Sequence, residues 1–320
     1  MTIECLAGQG CEPSERSAVA ASRLRVVVDS GPRSLVEVVQ AARLFASRPA
    51  IRFAGDEWTY SKLWAAASAV AAALRDDYDV RVGDQVGIAM RNRPEWLLAF
   101  WGTMLAGGVV VALDVSAGPE DLESLVRESS LRVIVVDRPA ACALGTAGGV
   151  PLVGAGGMPD LPSFAHLLRT PVDLARFPEE WVAPDSPATL LFTCGAKGRP
   201  NGVVRTHGEH VTTLVQSHTR RTDGGPAAGG RPVVHPLFRL AGLDMIYSAA
   251  FEGSCLILRG GDGERTSAPS ARYRSRGTGH GVARSVVPLR SGIADAPTTR
   301  RRHAATFPPY ETREPEGRTL

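Results

Sequence analysis

Residues 190–207 read LLFTCGAKGRPNGVVRTH. The apolar run at 190–193 has the length and character of a strand end, and Val203 and Val204 begin another. Between them stand Gly195, Gly198, Pro200 and Gly202. Glycines at this density let backbone N–H groups turn inward and approach an anion closely. The stretch is therefore a candidate phosphate cradle between two strands. Its side chains fit that task poorly, because Cys194, Ala196, Lys197 and Asn201 offer few hydroxyls. Thr206 and His207 close the segment and lead into a helix predicted over 207–219.

The flanks alternate between helix and strand patterns. A helix is predicted over 34–46, with apolar Leu35, Val36, Val38, Val39, Ala42 and Leu44. A hairpin is predicted from 51–53 and 57–60 around Gly55-Asp56. The Ala-rich stretch 61–76 puts Leu63, Ala67, Val70, Ala71 and Leu74 on one helical face. Strands follow at 86–90, 109–113, 133–136 and 254–258, with helices at 94–106 and 120–129. Pro94 suits the first turn of its helix. Apolar strands alternating with helices argue for an α/β fold, mostly parallel sheets flanked by helices.

Eighteen uncharged residues at 96–113 are long enough to span a membrane. Gly107-Gly108 splits them into a helical half and a β-branched half, so the expectation is a buried helix–turn–strand and no membrane span. Hydrophobic residues at 44% and charged residues at 22% are those of a soluble globular chain. Cys5, Cys11, Cys142, Cys194 and Cys255 have neither disulfide-framework nor zinc-site spacing, which suits a reducing cytoplasm. The N-terminus has no secretory pattern. His207 and His210 are spaced i, i+3, but a metal site needs a third ligand, and none is expected.

Lysine occurs only at Lys62 and Lys197, a skew typical of GC-rich coding. Residues 261–320 carry eleven arginines and six acids, a net of +5 against +3 for the whole chain, so the basic excess belongs to the tail. The reading divides the chain into a loose extension (1–33), a first α/β region (34–137), a Gly/Ala/Pro-rich connector (138–184), a second α/β region with the glycine loop (185–259) and an Arg-rich tail (260–320). The tail lacks the apolar content to offset chain entropy and is expected to be disordered. Its charges are dispersed and its aromatics sparse, so no nucleic-acid partner is expected.

LLFTCGAKGRPNGVVRTH resembles the phosphate-loop signature of the adenylate-forming (AMP-binding) superfamily, acyl-CoA synthetases among them, whose usual form is T-S-G-T-T-G-x-P-K-G followed by apolar residues and T-H. RPAIRFAGDEWTYSKLWAAASAVAAAL, VRVGDQVGIAMRNRPEWLLAFWGTMLAGGVVVALD and LRVIVVD resemble earlier parts of those domains, and PLFRLAGL at 236–243 resembles the motif P-x-F-H-x-x-G-L. The resemblance covers roughly 34–260 and implies the N-terminal part of an AMP-dependent acid–thiol ligase. It implies ATP with Mg²⁺ and coenzyme A as cofactors, a carboxylic acid as substrate, and a place in chemistry of the fatty-acid-activating kind. It also implies that Thr193, Cys194, Gly195, Ala196, Lys197, Gly198, Arg199, Pro200, Asn201 and Gly202 face the phosphates. His235, Arg239 and Gly242 would then lie toward the acid.

The departures from the signature are specific. Cys194 replaces a serine, Ala196 and Lys197 replace two threonines, and Asn201 replaces the lysine. Losing one preorganised donor commonly costs about 2.7–4 kcal/mol, or roughly 100- to 1,000-fold in rate. Arg239 stands where the family usually has histidine, implying altered acid-pocket chemistry, an anionic substrate, or drift. The family's later motifs, which bind adenine and ribose and carry the catalytic lysine, do not appear. The expectation is an incomplete domain with impaired turnover, its tail the product of a frameshift and its bare sheet faces covered by a partner protein. The alternative is an inactive remnant acting as a nucleotide- or protein-binding module.

Overall fold

The computed structural model describes residues 31–145, 149–170, 182–194, 200–220 and 230–259. The expected loose extension up to residue 30 and the expected disordered tail from 260 lie outside these residues. The chain builds two sheets. In chain order the helices are α1 (Leu35–Ala41), α2 (Tyr60–Asp76), α3 (Pro94–Leu105), α4 (Pro119–Glu128), α5 (Arg138–Leu144), α6 (Phe164–Leu167), α7 (His207–Arg220) and α8 (Leu240–Glu252). The strands are β1 (Pro49–Phe53), β2 (Asp56–Thr59), β3 (Gln85–Ala89), β4 (Val109–Ala112), β5 (Leu131–Val136), β6 (Leu152–Gly154), β7 (Pro187–Cys194), β8 (Pro200–Thr206), β9 (Arg231–Pro232) and β10 (Leu256–Ile257).

The larger sheet has the order β6-β5-β3-β4-β7-β8, parallel except for the β7–β8 hairpin. Its continuous apolar strands serve both faces, as parallel strands do. Val86, Ile88, Val110, Ala112, Val133 and Val135 join a core with α1, α2, α3, α7 and α8. Val111, Leu113, Ile134 and Val136 join a second core with Leu122, Leu125 and Val126 of α4 and Leu144 of α5. Strands β3, β4 and β5 are thus covered by the chain's own helices, and the expected bare faces do not occur there. At the β8 edge, Phe192, Val203 and Val204 are half-buried. The smaller sheet, β2-β1-β10-β9, reaches the first core through Ile51 and Leu256.

Local signals set the element ends. Ser34 caps α1 by accepting from the Glu37 amide, Thr59 caps α2, and Asp137 caps α5. The hairpin turn differs by one residue from expectation. Phe53 pairs with Asp56, and Ala54 and Gly55 both have positive φ, 51° and 90°. The turn pair is therefore Ala54-Gly55, a two-residue loop of the kind that matches strand twist. The predicted 34–46 helix is α1 followed by a 3₁₀ turn over Ala42–Phe45. Residues 138–184, read as a connector, carry α5, the edge strand β6 and α6. The uncharged run at 96–113 folds as most of α3, a turn and β4. No helix among the described residues is long and apolar enough to cross a membrane.

Candidate functional site

Strands β3 and β4 are parallel neighbours whose exits lead to opposite faces. After β3 the chain enters α3 on the first core, and after β4 it enters α4 on the second. Such a divergence opens a crevice at the carboxyl ends of the strands, where ligands of open α/β sheets bind. Two polar side chains stand at its edges, Asn92 after β3 and Asp114 after β4.

Both reach the segment that leads into α8. Asn92 donates from Nδ2 to the His235 carbonyl at 2.9 Å and accepts from the Leu237 amide through Oδ1 at 2.9 Å. Arg239 caps α8 by position and points a guanidinium nitrogen at Asp114 Oδ2, 3.5 Å away. The same carboxylate accepts from the Ser116 amide at 2.8 Å and from its hydroxyl. Gly242 is buried where a side chain would collide with the Pro236 carbonyl and come within 2.8 Å of Leu237 Cα. The segment is therefore folded tightly on itself and fastened to the sheet from two strand ends.

The glycine loop joins the same edge. β7 pairs with β4 in the register Ala112↔Leu191, so continuing it two residues sets Asp114 level with Thr193. The hairpin closes through Thr193↔Asn201 and Cys194↔Pro200. Gly195, Ala196, Lys197, Gly198 and Arg199 lie outside the described residues. Among the sequence-predicted residues, the structure thus brings His235, Arg239 and the base of the loop (Thr193, Cys194, Pro200, Asn201 and Gly202) to one sheet edge. Gly242 stands behind them as a packing residue. Asn92 and Asp114 were absent from the sequence reading. Asn92 lies 143 residues from its partner, and local pattern carries no trace of such a pairing.

The Thr-His pair has a structural role. Thr206 Oγ1 accepts from the Glu209 amide at 3.2 Å, and Glu209 Oε2 accepts from the Thr206 amide at 2.9 Å. This reciprocal capping box starts α7, and its T-x-x-E spacing is legible in the sequence. The buried stripe of α7 carries His207, His210, Val211 and Leu214. His207 Nδ1 accepts from the Leu35 amide at 3.3 Å, and burial pushes its pKa down to about 4. His210 meets Thr189 Oγ1 at 2.8 Å and the Tyr247 ring edge-on. Burial, then the charges of Arg205 and His207, hold its pKa well below the usual value. Both imidazoles are core groups that face different partners, and no metal-holding cluster occurs among the described residues. On α8, burial raises the Asp244 carboxyl to about 6, with Arg205 opposing.

The β7–β8 hairpin and a clamped turn thus stand together at the carboxyl ends of diverging parallel strands in an α/β fold. The chain matches the AMP-binding enzyme family over residues 38–274 and belongs to that family. It is 26% identical over 226 residues to a 2-succinylbenzoate–CoA ligase of Bacillus velezensis, covering 69% of this chain and 43% of that one. It is 29% identical to a 3-hydroxybenzoate–CoA/4-hydroxybenzoate–CoA ligase of Thauera aromatica, covering 68% and 42%. Among solved structures, a fatty acyl CoA synthetase of Mycobacterium tuberculosis shares the fold with a TM-score of 0.60 at 21% identity, over 71% of this chain and 45% of that one. A luciferase-like enzyme from the mealworm Zophobas morio gives 0.64 at 17% identity, over 71% and 54%. The chain spans less than half the length of the two curated ligases.

Proposed function

We infer that this chain supplies the acid-facing and phosphate-facing parts of an AMP-dependent acid–thiol ligase, with adenylation slowed by its altered loop. The observation that carries the reading is the convergence of the β7–β8 hairpin and the Pro236–Leu243 turn on one crevice. The substrate is a carboxylic acid, and ATP with Mg²⁺ and coenzyme A are the co-substrates. The site's cytoplasmic placement follows from that supply of ATP and coenzyme A.

The loop's glycine-rich sequence suits a phosphate chain held through backbone N–H groups. Gly195, Gly198 and Gly202 remain, and the hairpin holds the loop's two ends in register. The side chains fit less well, since a thiol, a methyl and an ammonium replace three hydroxyls, and an amide replaces a cation. The bound nucleotide supplies an activated α-phosphorus, which a carboxylate oxygen attacks as pyrophosphate leaves. The chain's own contribution is to hold the outer phosphates on loop N–H groups and to fix the acid beside them through the Asn92- and Asp114-anchored turn. A partner protein would cover the half-buried β8 edge.

Acid-dependent ATP–pyrophosphate exchange tests the reading. Exchange by the wild type supports a working ligase site. Restoring the signature with Cys194→Ser, Ala196→Thr, Lys197→Thr and Asn201→Lys is expected to raise it by at least about 100-fold. A restored protein no faster than the wild type contradicts the impaired-loop account. Saturable ATP binding without exchange favours the binding-module alternative.

A further inference from the structure

We propose that Asn92 is a positioning residue for the acid-facing turn, coupling it to the carboxyl end of β3. The proposal rests on the acid-activating reading above. Asn92 lies between Arg91, tied to Asp137 at the end of β5, and Arg93, paired with Glu95. It is therefore held on both sides by ion pairs. Its amide makes two bonds of 2.9 Å to one short segment, one given and one taken. A single side-chain amide that satisfies a carbonyl and an N–H two residues apart fixes both the height and the tilt of that backbone. Val233, Leu237 and Phe238 anchor this stretch in the first core, whereas Val234 and His235 between them are exposed, so the bonds to Asn92 fix the height of the exposed backbone that packing leaves free. The turn's second fastening, Arg239 to Asp114, is a longer contact with an arginine side chain 61% exposed. Exposed pairs of that kind contribute little. Asn92 is the stronger of the two links, and it spans the two parts of the crevice.

The position gives the coupling a direction. Asn92 is one residue from the Arg91–Asp137 pair, and among the described residues none of its hydrogen bonds reaches the β7–β8 hairpin. Its loss should therefore loosen the acid side and leave the phosphate side unchanged.

The experiment compares the wild type, Asn92→Ala, Asn92→Asp and the surface control Ser124→Ala. Hydrogen exchange of the 233–243 amides is one readout. Affinities for AMP and for 5′-O-(N-benzoylsulfamoyl)adenosine, a stable acyl-adenylate mimic, are the other. Asn92→Ala is expected to speed exchange in 233–243 roughly tenfold, with other segments unchanged. Its preference for the mimic over AMP should fall by a similar factor, with AMP affinity kept. Asn92→Asp keeps the acceptor for Leu237 and should fall between the two. Uniform speeding across the chain, or variants that do not fold at all, would reduce Asn92 to a folding residue and overturn the proposal. A preference for the mimic that survives Asn92→Ala overturns the positioning role alone. A wild type that binds the mimic no better than AMP overturns the acid-activating reading instead, and the exchange readout still decides whether Asn92 holds the turn.

Discussion

At the residue scale, single side chains in this fold serve as fasteners, some within one helical turn and some between parts of the chain far apart in sequence. Glu209 is one of them. Its reciprocal bonds with Thr206 satisfy two N–H groups at the start of α7. Glu209→Ala should lower stability by about 1 kcal/mol, read from urea unfolding midpoints. An unchanged midpoint would mean that water replaces the cap without cost. Gly242 is held by a tighter constraint. A β-carbon there would collide with the Pro236 carbonyl, so the turn must open. Gly242→Ala should cost about 1–3 kcal/mol, the usual range for overpacking. The glycine is legible in the sequence as part of PLFRLAGL, but the close approach it permits becomes visible only with the turn in place. Asn92 was not legible at all, because nothing nearby in the chain marks a residue whose partners are 143 and 145 positions away.

At the element scale, most strands and helices follow from apolar period, because their side chains face a core on one side or both. Val110 and Val111 point to opposite cores, and that is what a continuous β-branched run predicts for a parallel strand. The elements that sequence pattern missed are short ones whose reasons are not local. β6 has three residues and exists because β5 presents an open edge to it. The strand at 254–258 is legible and contains β10, but its pairing with β1 is not, because about 200 residues of chain separate them and no sequence window contains both. The β1–β2 turn shows the same limit on a small scale. Gly55-Asp56 is a favourable pair, yet the register of Phe53 with Asp56 moves the loop to Ala54-Gly55. Ala54 then adopts φ of 51°, which costs an L-residue roughly 1–2 kcal/mol. Ala54→Gly should relieve part of that and raise the melting temperature. A lower melting temperature would contradict the assigned turn.

At the scale of the whole molecule, buried titratable groups set the response to pH. His207 and His210 have folded-state pKa values below the ordinary 6.5, so the unfolded chain binds protons first. Their contribution to stability is complete above about pH 6.5; that of His207 is lost as pH falls toward 4, and that of His210 is lost in the same direction. Asp244 acts in the opposite sense. Its carboxyl is raised from 3.8 to about 6, so the folded state binds its proton first and stability rises as pH falls through that window. Asp244 therefore offsets one of the two histidines. Asp244→Asn should make the loss of stability between pH 6 and 4 steeper, as measured by denaturation midpoints across pH. An equal slope in both proteins would show that Asp244 titrates normally. The crevice itself follows from topology, since the exits of β3 and β4 diverge to opposite faces and leave room at their ends. In the proposed function, the hairpin beside this crevice grips the outer phosphates of ATP through its backbone. The direct measurement is equilibrium binding of ATP and of AMP to the wild type and to Gly198→Val. The account predicts tighter binding of ATP than of AMP by the wild type, and loss of that difference in Gly198→Val. Equal affinities for ATP and AMP in the wild type would contradict it.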